Sequence, residues 1–296
     1  MTEQIEHVSD TAFWVAWHRA QEGLRKDALF RDPLAAKLVG KRGAKLARHM
    51  GIKRAMTWSM ALRTHILDQY ILEAIKGGVD AVINLGAGLD TRPYRLDLPK
   101  NLPWIEVDFE HMIAHKNDVL HDEQPACRLQ RIACDLSDDP ARQTLLHTLN
   151  DAGRNILVLT EGVIPYLSNE AVASLAHELH EQDHVSYWLT DYYSAFFRSL
   201  SARGKIMKQL AKHAPFRFNP GDAPADWPRF FAEQGWQIDD IRYVGEEGGK
   251  LGRNLPANWL IWQLMRRMPE SRLRPYLRMN GLIRLVRGTH IFDMDA

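Results

Sequence analysis

The chain has 296 residues, 45% hydrophobic and 25% charged, the balance of an ordinary globular protein rather than a disordered one. Lys and Arg number 38 against 37 Asp and Glu, leaving a net charge of +1. Without a basic excess, nothing favours a nucleic-acid backbone as the main partner, and a small molecule is expected instead. One large α/β domain or two small ones would fit the length.

Met1 to Asp10 is polar and acidic, without the basic-then-apolar pattern of a signal peptide. No stretch approaches the ~20 apolar residues of a membrane span, so a cytoplasmic protein without membrane contact is expected. Thr11 to Gly23 reads as helix. Asp32-Pro33 then supplies an N-cap followed by proline at the first helical position. From Thr57, apolar residues recur at helical spacing until Gly77-Gly78 stops them.

Then the rhythm changes. Ala81 to Leu85 is a short apolar run ending at glycine, a buried strand by composition. Further strands are expected at Trp104–Val107, Leu129–Cys134, Asn155–Thr160 and Val185–Thr190. Between them lie helical stretches at Phe109–Leu120, Asp138–Leu149 and Asn169–Glu181. Strand alternating with helix predicts a doubly wound parallel sheet with ligands at the carboxyl ends of its strands. Beyond Asp191, Tyr192 to Lys212 reads as helix and Ala214 to Pro228 as a Pro/Gly/Asp-rich loop. Phe230 to Val244 reads as helix, turn and strand, and a last strand is expected at Thr289–Asp293.

The most informative run is Asn84 to Arg92, NLGAGLDTR. A strand ending in Gly-x-Gly turns sharply and lets a ligand approach the backbone, since glycine has no Cβ. Asp108 closes the next strand about 20 residues beyond Gly86, where a carboxylate would accept hydrogen bonds from a ribose diol. Glu106 shares that strand face and competes for the role. Thr91 stands where a dinucleotide fingerprint wants its third glycine, which counts against NAD and FAD.

Cys127 and Cys134 are too few for a disulfide scaffold or a zinc site, and read as small core residues. The 13 histidines show no H-E-x-x-H spacing. His111 and His115 lie four apart on a helix but lack a third ligand, so no metal is expected.

The series Gly86–Leu96 (GAGLDTRPYRL), Ile105–Asp108 (IEVD), Cys134-Asp135-Leu136 and Glu161–Leu167 (EGVIPYL) resembles the leucine carboxyl methyltransferase family. That family includes bacterial carboxy-O-methyltransferases of polyketide pathways. The resemblance reaches back to Arg19-Ala20, Leu29–Pro33 and Arg63-Thr64, and covers roughly the first two-thirds of the chain. It implies a Rossmann-like doubly wound seven-stranded sheet with a helical cap over 1–79 and a cofactor-binding core over 80–191. A lid over 192–228 and a C-terminal part over 229–296 complete the one expected domain.

The implied cofactor is S-adenosyl-L-methionine. By position, Gly86, Ala87 and Gly88 would lie against it, Asp108 would hold its ribose, and Asp135 and Leu136 would border its adenine. Glu161 would sit near the methionine end, and Arg19 would reach the cofactor from the cap. Arg63 would meet a carboxylate, the cofactor's or the substrate's, and Tyr166 would point toward the transferred methyl. On spacing alone, Arg63 reads as a solvated charge on a long helix, Asp135 as a helix cap and Tyr166 as a core aromatic. Pro165 departs from the family pattern on the substrate side.

The resulting expectation is an O-methyltransferase acting on a carboxylate, with no metal and no nucleic acid. A protein C-terminus or a phenolic hydroxyl remains open as acceptor. The rivals are a nicotinamide dehydrogenase on the same sheet and a cofactor-binding regulator without catalysis.

Overall fold

Residues 9–49, 54–203, 215–223, 225–256, 263, 265, 267–288, 290, 292 and 294 are described by a computed structural model. Three helices come first: α1 (Asp10–Gly23), α2 (Pro33–His49) and α3 (Arg54–Lys76). Next are β1 (Ala81–Leu85), α4 (Arg92–Arg95), β2 (Pro103–Asp108), α5 (Glu110–Val119) and β3 (Arg128–Ala133). They are followed by α6 (Asp139–Leu149), β4 (Ile156–Thr160), α7 (Asn169–His180), β5 (Val185–Tyr193) and α8 (Ala195–Arg203). Strands β6 (Trp236–Tyr243) and β7 (Asn280–Arg287) complete the sheet, flanked by short helices at Asp226–Ala232, Val244–Lys250 and Glu270–Leu277.

The sheet order is β3-β2-β1-β4-β5-β7-β6. Strands β1 to β5 are parallel, and β7 runs antiparallel to both of its neighbours. The winding direction reverses between β1 and β4, which opens a crevice at their carboxyl ends. The sheet is α/β and seven-stranded as expected, but mixed rather than wholly parallel. Apolar rhythm marks a strand without giving its direction, so β7 was not legible that way.

Strand alternation feeds two cores. On one face Ala81, Ile83 and Leu85 meet Leu146, Leu149, Val172 and Leu175 of α6 and α7. On the other, Val82, Leu157 and Leu159 meet Leu62, Ile66, Leu67 and Ile71 of α3. A third cluster joins α1 and α2 to α5 through Ala16, Ala20, Ala35, Leu38 and Met112. The caps follow the sequence: Asp32 accepts from the Ala35 N–H (3.0 Å), Asp138 from Ala141 (3.2 Å) and Ser168 from Ala171 (3.2 Å).

Three boundaries differ from expectation. Strand β5 runs on to Tyr193 instead of stopping at Thr190, so the segment expected as a lid begins on the sheet. Of the helix expected over 192–212, Ala195–Arg203 is helical, and 204–214 lie outside the described residues. The last strand is Asn280–Arg287, not 289–293, where Thr289, Ile291 and Asp293 lie outside the described residues. Arg284 and Arg287 disguise β7 as an apolar–basic helix. Arg284 instead reaches across the edge to Asp239 (2.6 Å), leaving Leu282, Ile283 and Leu285 fully buried. No helix among the described residues is long and apolar enough to cross a membrane.

Trp188 is central to the first core. Its indole N–H donates to the Thr160 hydroxyl (2.8 Å), and its ring meets Phe231 and Trp236 edge-on at 5.5 and 5.9 Å. Trp188→Ala is expected to lower the unfolding free energy by about 3–5 kcal/mol in urea titration. An unchanged midpoint would contradict this packing role.

Candidate active site

A cavity of about 550 Å³ lies at the carboxyl ends of β1, β2, β4 and β5, under α1. Arg19, Arg63, Gly86, Ala87, Gly88, Asp108, Asp135, Leu136, Glu161 and Tyr166, expected at the site, all line it. The floor is the Gly86–Gly88 turn, where the Gly86 and Ala87 N–H groups both donate to the Val107 carbonyl (2.8 and 3.0 Å). Gly86 has φ +69°, and a Cβ there would meet Val163 Cγ2 at 2.4 Å. Only glycine fits so tight a bend against the neighbouring loop.

Asp108 closes β2 with its carboxylate beside that turn. One oxygen accepts from the Gly88 N–H (2.6 Å) and the other from the Phe109 N–H (2.7 Å). Each oxygen keeps a further acceptor site, which suits two hydroxyls of a diol. Burial pushes this carboxyl above the usual range, against the pull of both N–H groups. Glu106 is fully buried, paired with Lys116 (2.8 Å) and Arg131 (2.9 Å), and does not line the cavity. Between the two acidic candidates, Asp108 is the one the cavity reaches.

Thr91 fills the place of the absent third glycine, and its hydroxyl donates to Asp32 (2.7 Å), binding the turn to the cap. The helix that follows has only four residues, so no long helix N-terminus faces the cavity there for a pyrophosphate. Asp135 accepts from the Ser137 N–H and hydroxyl (2.9 and 2.7 Å), while Asp138 caps α6. Asp135 is therefore not the helix cap. Beside it Leu136 packs against the first core, and both border the end of the cavity next to Asp108.

Buried charges back the opposite side, where Arg19, Arg63, Asp90 and Glu161 reach the cavity. Arg63 is 5% exposed, so it is not a solvated helix residue. Its Nε and one terminal nitrogen donate to the Asp191 carboxylate (2.7 and 3.2 Å), and its Nη1 lies 3.5 Å from Glu161. That edge of the fork is committed to Asp191, while Nη1 makes only the longer contacts to Glu161 and, at 3.9 Å, to the Met60 sulfur, and can still meet a ligand. Arg92 donates to Asp68 (2.7 Å), Asp90 (3.0 Å) and Glu161 (2.7 Å). Arg95 donates to Asp68, and Arg19 to Asp32 (2.9 Å) and the Leu89 carbonyl.

Burial pushes the Glu161 carboxyl up, but Arg92 and Arg63 outweigh it and hold it below its ordinary range. Arg19, Arg63, Arg92 and Arg95 thus face Asp32, Asp68, Asp90, Glu161 and Asp191. One carboxylate is left in excess, which favours a cationic ligand. Asp191, Asp68, Asp90, Arg92 and Arg95 were not singled out by sequence reasoning. Asp191 follows the strand expected at Val185–Thr190 as Glu161 follows Asn155–Thr160, and that shared position was the available signal.

The remaining wall is aromatic. Tyr166 meets Phe216 edge-on (5.4 Å), and Tyr193 packs on Phe197 (4.9 Å) and Phe216 (5.3 Å). Pro165 lies in a 3₁₀ turn over Ile164–Tyr166, and its carbonyl accepts from the Arg217 and Phe218 N–H groups (2.8 and 3.3 Å). The proline that departs from the family pattern thus pins the 215–218 segment along the cavity mouth. No histidine or lysine is among the described lining residues. Cys127 and Cys134 are free thiols, and no metal-binding group of His, Cys, Asp and Glu occurs among the described residues.

The profile describing leucine carboxyl methyltransferases matches residues 12–180. The chain belongs to that family. Its membership makes it a methyltransferase dependent on S-adenosyl-L-methionine. A provisionally named S-adenosyl-L-methionine-dependent methyltransferase of Frankia alni is 32% identical over 268 residues, covering 86% of this chain and 94% of the relative. One of Mycobacterium tuberculosis, also provisionally named, is 29% identical over 287 residues, covering 86% and 87%. A crystal structure of a DUF574 family protein from Streptomyces avermitilis shares the fold, with TM-score 0.61 at 14% identity. It covers 94% of this chain and 97% of its own.

The glycine turn fits an adenosyl group in shape, with Asp108 as its polar partner. Gly86→Ala forces a left-handed conformation on alanine, costing about 1–2 kcal/mol, and pushes a methyl into Val163. Calorimetry should show S-adenosyl-L-homocysteine affinity falling at least ~10-fold, since 1.4 kcal/mol is a factor of ten. Wild-type affinity would show that the turn tolerates a side chain.

Proposed function

We propose that this methyltransferase esterifies the carboxylate of a small aromatic or otherwise apolar acid. The observation that carries this reading is the chemistry of the wall around Tyr166 and Tyr193. It offers no histidine or lysine, its Glu161 is held ionised between two arginines, and burial pushes both tyrosines up. A phenol would have to lose a proton, and no group there is suited to take it. A carboxylic acid is already ionised at neutral pH, with a reference pKa near ~4.

S-adenosyl-L-methionine supplies a methyl group on a positively charged sulfur, so the chain's task is alignment rather than proton transfer. Gly86, Ala87 and Gly88 would lie against the cofactor, Asp108 would accept from the ribose hydroxyls, and Asp135 and Leu136 would border the adenine. Glu161 and Asp191 would favour the cationic end electrostatically, while Arg63 would offer Nη1 to a carboxylate. Arg19 would act through Asp32 and Leu89 by holding the cap against the turn. Thr91 and the four-residue α4 support this cofactor over a dinucleotide.

The direct test is a labelled methyl-transfer screen against aromatic carboxylic acids and matched phenols. The expected product is an ester, cleaved by mild base. A base-stable ether formed from phenols alone would sink the carboxylate reading.

Asp108 gives the reading a pH signature. Only its ionised form accepts from both hydroxyls, and its pKa is raised by burial. S-adenosyl-L-homocysteine affinity should therefore weaken as pH falls through that raised pKa and recover above it. Asp108→Asn should lose about tenfold at pH 7.5, given ~1.5–3 kcal/mol per charged hydrogen bond, and flatten the pH dependence. A mutant that kept the wild-type acid limb would assign the titration to another group.

A further inference from the structure

Tyr193 is the last residue of β5, two positions beyond Asp191, so both side chains leave the sheet on the cavity side. Tyr192 faces the other way and packs on Trp227 (4.9 Å) and Tyr243 (5.7 Å). The Tyr193 ring is held by Phe197 and Phe216, and its hydroxyl makes no hydrogen bond among the described residues. Tyr166 differs: its hydroxyl is hydrogen-bonded to Thr11 of α1. The Tyr193 side chain is half-buried and lines the cavity, so its hydroxyl proton is available to a ligand there. Tyr193 also lies within electrostatic range of Arg63, whose Nη1 makes only long contacts within the protein.

We propose that the Tyr193 hydroxyl, rather than that of Tyr166, donates a hydrogen bond to the acceptor's carboxylate and orients it for methyl transfer. This rests on the carboxylate-acceptor reading above. One carboxylate oxygen accepts from Tyr193. The other uses a lone pair to form the new oxygen–methyl bond, while the sulfur–methyl bond breaks and its electron pair stays on sulfur. The positive charge on sulfur and the negative charge on the acid are both discharged, and no proton moves. Burial and the neighbouring Asp191 push the Tyr193 hydroxyl upward, so it keeps its proton and serves as a donor.

The test uses Tyr193→Phe, which keeps the ring and its packing. 2-Naphthoate is titrated by calorimetry into protein saturated with S-adenosyl-L-homocysteine, with 2-naphthol as the uncharged control. Wild-type protein should bind 2-naphthoate more tightly than 2-naphthol. Tyr193→Phe should weaken 2-naphthoate about tenfold or more, as expected for a hydrogen bond to a charged group. Its S-adenosyl-L-homocysteine affinity should stay within about twofold of wild type, because the ring and its packing are kept and the lost hydroxyl serves the acceptor. Unchanged 2-naphthoate affinity in Tyr193→Phe overturns the Tyr193 assignment and leaves the carboxylate reading standing. Parallel loss of S-adenosyl-L-homocysteine affinity also overturns it, because the hydroxyl would then serve the cofactor or the packing. A wild-type protein that does not prefer 2-naphthoate overturns the carboxylate reading, and this inference with it.

Discussion

The buried array of arginines and carboxylates between the N-terminal helices and the sheet is the interaction on which the site depends. Arg92 alone joins three elements: Asp68 on α3, Asp90 in the glycine turn and Glu161 after β4. Removing one member of such an array strands a buried charge, at a cost of about 3–5 kcal/mol. The array therefore fixes relative position as much as it stabilises. Asp32 repeats the arrangement at the cap, accepting from Arg19, from Thr91 and from the first turn of α2. Without those bonds α1 would have no fixed seat over the turn, and the cavity would lose its roof.

That arrangement also explains the departure at Thr91. A third glycine would bring helix and strand together beneath a pyrophosphate. Here a hydroxyl replaces it and ties the turn to the cap, and the following helix is only four residues long. The space given up by the phosphate site goes to the cap. A cationic cofactor without phosphates is compatible with both changes, and with the excess carboxylate of the floor.

Much of the scaffold was legible because its signals are local. Five strands were written as short apolar runs, and the Asp32 cap lies three residues from its partner, whereas the cap expected at Asp135 is supplied by Asp138. The glycine turn and the strand-end acids Asp108 and Glu161 could be placed by spacing. The Arg63–Asp191 pair could not, because the two lie 128 residues apart in sequence. A lone arginine on a helix reads as solvated until its partner is known. Strand β7 was missed for a related reason: Arg284 and Arg287 break its apolar pattern, and Arg284 finds its carboxylate, Asp239, on another strand.

The chemistry proposed here leaves little for titratable groups to do at the acceptor end. An ionised acid needs no base, and the groups around it are held in single protonation states: Arg63 by its pairing, Glu161 by two arginines, and both tyrosines by burial. A wall of fixed dipoles and charges suits a displacement that needs alignment, because nothing must reorganise as charge is lost between acid and sulfur. Asp108 is different. Burial pushes its carboxyl up, and in the proposed pose it would sit at the ribose end, away from the transferred group. Sensitivity to acid should then belong to cofactor capture, while saturated turnover stays flat until the acceptor itself is protonated. That separation follows from where the two carboxylates lie: Glu161 locked between two arginines, and Asp108 held by backbone N–H groups.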